Sequence, residues 1–133
     1  MNYIVEYWNR IQSEEIPVCK RLKQQYQKLI EELHNPRDPW VFDLEKANKP
    51  VEFIEKFCRH SKGKWIGKPV NLELFQKALI QAIYGFVHKD TGLRRCREVF
   101  ILVGRKNGKS TLMSALGLYM LVGDGEGGAE TYC

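Results

Sequence analysis

No two cysteines or histidines in this chain stand at the spacing of a metal site. Cys19, Cys58, Cys96 and Cys133 are far apart and form no CxxC pair, and His34, His60 and His88 are isolated. That argues against the common zinc sites, which draw their ligands from close pairs, and reads as free thiols in a reducing cytosol. A secretory leader is missing as well: Met1 to Trp8 shows no basic segment followed by an apolar run. The longest apolar stretch, Leu112 to Val122, is interrupted by Ser114 and too short to span a bilayer, so no membrane role is expected. Internal repeats and low-complexity tracts are absent. Charge of one sign is only mildly short, with 21 basic against 16 acidic side chains and a net charge of +5. That excess favours polyanionic partners without proving one. The apolar fraction of 44% and the charged fraction of 28% are those of an ordinary globular protein.

The first 40 residues are expected to be helical. Val18, Leu22, Tyr26, Leu29 and Leu33 recur at three- and four-residue spacing and share a face. Pro17 suits the first turn of the second of two helices, with a break near Ser13–Ile16. Tyr3, Tyr7, Trp8 and Ile11 are expected to pack on that second helix. Pro36 and Pro39 end the pair. Trp40–Phe42 reads as extended, Asp43 as a helix cap, and Pro50 as the start of a short helix carrying Phe53, Ile54 and Phe57. Ser61 to Pro69 is a loop in which Trp65 lies among Lys62, Lys64 and Lys68. A tryptophan so placed either anchors the loop to the core, the commoner case, or stacks a base beside phosphate contacts. Asn71 is a plausible cap for a stronger helix with the apolar stripe Phe75, Ala78, Leu79, Ala82, Ile83 and Phe86. His88 to Gly92 is a turn. Arg94, Arg95 and Arg97 form a basic cluster, read first as a solvated edge and otherwise as a contact with DNA or a neighbouring subunit.

The chemistry is concentrated in Gly104-Arg-Lys-Asn-Gly-Lys-Ser110. Before it, Val99-Phe-Ile-Leu-Val103 is a continuous apolar run, as in a strand buried on both faces of a parallel sheet. After it, Ser110 to Val122 is mostly apolar and helical. A glycine-rich turn between a strand and a helix supplies inward backbone N–H groups and a positive helix end for a polyphosphate. Lys109 adds a mobile cation for the β- and γ-phosphates, and Ser110 a hydroxyl for Mg²⁺. The match to the common phosphate loop is imperfect: its first glycine would fall at Val103, whereas the glycine here is Gly104. Arg105 and Lys106 are unusual in such a loop. They read equally as solvated cations or, for Arg105, as a group that stabilises charge on the transferred γ-phosphoryl.

With the loop placed, its flanks resemble the large terminase subunit of tailed bacteriophages, an ATPase-nuclease that packs DNA into a capsid. The resemblance is carried by Val51–His60, Gly63–Pro69, Leu72–Gln76, Thr91–Arg95, Val103–Ser110 and Gly125–Glu130, in that order and spacing. It implies an α/β fold with a P-loop NTPase-like parallel sheet, of which only the first strand, phosphate loop and helix are present. Residues 1–40 would form a helical N-terminal region, and 41–133 the start of the ATPase domain. It implies ATP and Mg²⁺ as ligands, with Gly104, Lys106, Asn107, Gly108, Lys109, Ser110 and Thr111 around the phosphates. Arg105 and Lys109 would be catalytic, and Gln76 would contact adenine. It implies double-stranded viral DNA, a portal protein and a small terminase subunit as partners, a homo-oligomeric ring and the cytoplasm of a bacterial host. The family's acidic ATPase motif and its nuclease domain are expected to lie beyond Cys133. Asp124 and Glu126, roughly 18 Å along the helix from the loop, are poor substitutes. The chain therefore reads as a fragment or truncated frame that neither turns over ATP nor cuts DNA alone. An unrelated P-loop ATPase or kinase, and a non-catalytic prophage remnant binding nucleotide or DNA, remain open at this point.

Overall fold

The structure, a computed structural model, describes residues 1–125, 128 and 130. Its elements in chain order are α1 (Tyr3–Gln12), α2 (Lys20–His34), β1 (Trp40–Phe42), α3 (Leu44–Phe57), α4 (Leu74–Tyr84), β2 (Phe86–His88) and α5 (Lys109–Leu118). A 3-10 turn covers Gly63–Trp65, and a wide π-type turn, Tyr119–Gly123, continues α5.

The N-terminal helix pair forms as its periodicity predicts. Asn2 caps α1 by accepting from the Val5 N–H at 3.2 Å, and Ile4, Tyr7 and Ile11 bury one face. That face meets Tyr26 and Leu29 of α2, with the Tyr7 and Tyr26 rings edge to face at 4.9 Å. Pro17 stands outside α2, which begins after Cys19. Asp43 caps α3, accepting from Lys46 N–H at 3.0 Å. Pro50 does not start that helix but sits within it, fully buried. An interior proline costs a helix roughly 3 kcal/mol. Burial of its ring in line with Ala47, Val51 and Ile54 offsets part of that cost.

Helix α4 lies between α1 and α3 and is covered on both sides. Its cap is Glu73, not Asn71. Its expected stripe is only partly the buried face: Phe75, Leu79, Ala82 and Ile83 are half-buried, while Gln76, Ile80, Gln81 and Tyr84 are buried with Ala78. A helix packed from two sides shows no single stripe. Gln81, wholly inaccessible, holds the contact with α1 together. Its Oε1 accepts from the N–H groups of Tyr3 (2.7 Å) and Ile4 (3.3 Å), and its Nε2 donates to Met1 O (2.8 Å) and Asn48 Oδ1 (2.6 Å).

The sheet differs from the expected one. β1 and β2 pair antiparallel, Trp40 with His88, Val41 with Val87 and Phe42 with Phe86, and no parallel pair exists among the described residues. Residues 99–103 form no strand; Phe100 is 91% and Leu102 88% exposed. Their composition suits a strand, but a strand exists only by pairing, and the described residues set no neighbour beside this run. Ala129–Cys133, which the sequence reads as the opening of a second strand, lies outside the described residues, Glu130 apart.

Candidate nucleotide-binding site

The glycine loop is a closed turn seated on the start of α5. Asn107 Nδ2 donates to Gly104 O at 3.1 Å and Arg105 O at 3.3 Å, drawing the turn shut. Lys106 (φ +64°) and Gly108 (φ +69°) take the left-handed conformation. At Gly108 this favours glycine, and a Cβ there would also stand 3.3 Å from Gln76 Nε2. Helix α5 starts at Lys109, and Leu112 N–H donates to Gly108 O at 2.9 Å. The N–H groups of Lys109, Ser110 and Thr111 therefore precede the helix's internal ladder, at its positive end. No acidic residue in that first turn offsets them. Leu112, Ala115 and Leu116 bury the other side of α5 against Val51, Ile54 and Cys58, so the loop is mounted on the packed core. Burial pushes the Cys58 thiol up, the adjacent Arg59 pulling weakly the other way. A thiol held protonated there acts as packing, not as a nucleophile.

Gln76 reaches the loop from the first turn of α4. It is 8% exposed. Its Oε1 accepts from the Glu73 N–H at 2.9 Å, half of a capping box, which leaves the Nε2 end turned toward Gly108. A cleft of about 290 Å³ opens between the two elements, lined by Gln76, Lys106, Asn107, Gly108 and Thr111 together with His60 and Asn71. Gly104, Arg105, Lys109 and Ser110 are exposed on the loop beside that cleft rather than lining it. Among the described residues Arg105, Lys106 and Lys109 enter no ion pair. Three unneutralised cations, free helix N–H groups and a hydroxyl at Ser110 make a donor set that fits a polyphosphate and a hydrated divalent cation. His60 and Asn71 had no sequence signal, because the loop carrying them folds back over α5.

The arginine cluster is structural in part. Arg94 pairs with Asp124 at 3.2 Å and lies over the Tyr84 ring at 5.1 Å. Arg95 pairs with Glu32 at 2.8 Å and lies 4.1 Å from the Phe86 ring centroid. Asp124 is thus committed to holding the end of the π turn. Trp65 is not a core anchor: it is 49% exposed. No helix among the described residues is long and apolar enough to cross a membrane.

Residues 74–133 match the family model of the terminase large subunit, ATPase domain. The chain is also 37% identical over 81 residues to the terminase, large subunit, of Enterobacteria phage HK97, a stretch that is 60% of this chain and 15% of that relative. The chain thus spans a small fraction of the length of the curated relative it matches. No solved structure matches it. The matched segment contains the glycine loop, α5 and Gln76, and the resemblance to the large terminase subunits, in their ATPase domain, is thereby borne out.

Proposed function

We propose that the loop 104–108 and the first turn of α5 hold the β- and γ-phosphates of ATP. Lys109 is the mobile cation, Ser110 and Thr111 supply hydroxyls, with Ser110 toward Mg²⁺, and Gly104, Lys106, Asn107 and Gly108 present backbone to the phosphates. Mg²⁺, held with the help of the Ser110 hydroxyl, would supply positive charge against the phosphates. Gln76 reads the adenine edge through Nε2, its Oε1 being held by Glu73. Arg105, unpaired on the rim, would act on charge that develops on the γ-phosphoryl. In the whole protein this site would drive double-stranded viral DNA into a procapsid at a portal. A ring of identical subunits, a small terminase subunit and a C-terminal nuclease would complete the machine in the host cytoplasm. Among the described residues the carboxylate that lines the cleft, Glu73, is engaged in the capping box of α4, so residues 1–133 would bind nucleotide and not turn it over.

The observation that carries this reading is the αL glycine capping a core-anchored helix whose first turn is Lys109-Ser110-Thr111. Calorimetric titration of the chain with Mg·ATP should show binding, reduced at least tenfold in Lys109→Ala. In the full-length protein Lys109→Ala should abolish ATP hydrolysis and packaging, and wild-type rates in that variant would overturn the assignment. Arg105→Ala should lower turnover far more than affinity, because such a group acts mainly in the transition state.

A further inference from the structure

The segment between α3 and α4 lends His60 and Asn71 to the glycine-loop cleft, but its tip stands outside that cleft and carries charge of one sign. From Phe57 to Leu72 there are four cations, Arg59, Lys62, Lys64 and Lys68, and no carboxylate. Among the described residues none of the four enters an ion pair. Residues 61–69 are exposed throughout. The backbone is nevertheless tied into a definite shape. His60 N–H donates to Lys68 O at 3.0 Å, Gly67 N–H to His60 O at 2.8 Å, and Lys68 N–H to Trp65 O at 2.9 Å. Gly63 and Gly67, both at φ +76°, make the reversals on either side of Trp65. At the tip stands the half-exposed indole of Trp65. The Lys64 and Lys68 ammoniums lie over its ring, 5.1 and 4.9 Å from the centroid.

We propose that this loop is a binding surface for single-stranded nucleic acid, with Trp65 stacking an unpaired base and Lys62, Lys64, Lys68 and Arg59 neutralising the phosphates that flank it. Cations stand on both chain sides of the tryptophan, as phosphates stand on both sides of a stacked base. An exposed lysine–indole contact is weaker than a base stacked on the same ring. A base therefore displaces Lys64 or Lys68 from the ring face, and the freed ammonium turns to the adjoining phosphate. A duplex offers the loop only its phosphates, since its base faces are already covered. A membrane surface suits it less: beside Trp65 only Ile66, 67% exposed, is a large apolar group at the tip. This assignment does not rest on the nucleotide reading of the glycine loop.

The test is fluorescence anisotropy of the whole chain with a labelled oligothymidylate and with a duplex of the same length, each across a salt series. Trp65→Ala should weaken oligothymidylate binding about tenfold and leave duplex binding unchanged, and Trp65→Phe should recover part of the loss. Lys64→Gln with Lys68→Gln should flatten the logarithmic salt slope by about 0.7 per lysine. Unchanged thermal unfolding in Trp65→Ala shows the fold intact. Equal effects on both nucleic acids, or no effect on either, overturn the proposal. So does binding of anionic phospholipid vesicles without binding of oligothymidylate. Lys109→Ala serves as the distinguishing variant, removing nucleotide binding while leaving oligothymidylate affinity alone.

Discussion

Helix α4 carries two buried glutamines five residues apart, and they have opposite fates. Gln81 is sealed, and both ends of its amide are spent on α1 and α3. Gln76 is nearly as buried, but only its oxygen is spent, on its own helix cap. Its nitrogen faces Gly108 and a cleft. A buried polar group with all its bonds made within the protein is structure, because water and ligand have nothing to offer it. A buried polar group that keeps a donor toward open space is a reader of whatever enters that space. Sequence alone shows two glutamines on one helix; the environment separates them.

The largest effect should come from removing the sealed one. Gln81→Leu keeps the volume but strands the Tyr3 and Ile4 N–H groups and Asn48 in a closed interface. Each orphaned buried group costs about 1–3 kcal/mol, so the loss should be on the order of 3 kcal/mol or more. It would be read as a lower urea midpoint at unchanged slope. A loss below about 1 kcal/mol would show that water reaches these groups, and the contrast between the glutamines would collapse.

The next effect concerns the joint between α4 and the far end of α5. Tyr84 and Tyr119 meet edge to face at 5.4 Å. Burial pushes the Tyr84 hydroxyl up to about 12, with Arg94 opposing and Asp124 and Tyr119 adding. Burial likewise raises Tyr119. The unfolded chain ionises these groups near pH 10, while the folded chain keeps them neutral. Their contribution is therefore complete below pH 10 and is lost as pH rises, for Tyr84 toward about 12. While only the unfolded form ionises, each tyrosine costs about 1.4 kcal/mol per pH unit. Denaturant melts between pH 9 and 12 should show stability falling, and Tyr84→Phe should remove about 2–3 kcal/mol of that fall. An unchanged alkaline limb in Tyr84→Phe would place the joint in contact with solvent.

What could be read in advance follows the same division between local and distant causes. The helix hairpin, the Asp43 cap and the glycine loop opening a helix are each set by neighbours within a few residues, and each stands where periodicity and capping put it, save that α2 begins beyond Pro17. Pro50, Trp65 and the run 99–103 went otherwise because their fates depend on distant partners. The core behind Pro50 outweighs its helix-breaking tendency. Among the described residues only Lys64 and Lys68 are seen over the Trp65 ring, which stays half-exposed. No described strand lies beside Val99–Val103 to pair with it. At the candidate site, the turn 104–108 and the helix it opens were legible because they are contiguous in sequence. His60, Asn71 and the capping role of Glu73 were not, because they arrive by folding.

The smallest effect on stability should come from the open glutamine, and it decides whether the comparison has functional content. Gln76→Leu removes the acceptor of the Glu73 N–H, half of a capping box at an exposed helix start, which should cost only about 1 kcal/mol. It also removes the donor beside Gly108. On the nucleotide reading, that donor binds the adenine edge, and its loss should weaken Mg·ATP binding about tenfold, the worth of one hydrogen bond of about 1.4 kcal/mol. Binding of inorganic triphosphate, which has no base, should be unchanged. Equal weakening toward ATP and triphosphate would mean that Gln76 acts by buttressing Gly108 and the turn rather than by touching the base. Gln76 would then belong with Gln81, as a strut that happens to stand at the edge of a cleft.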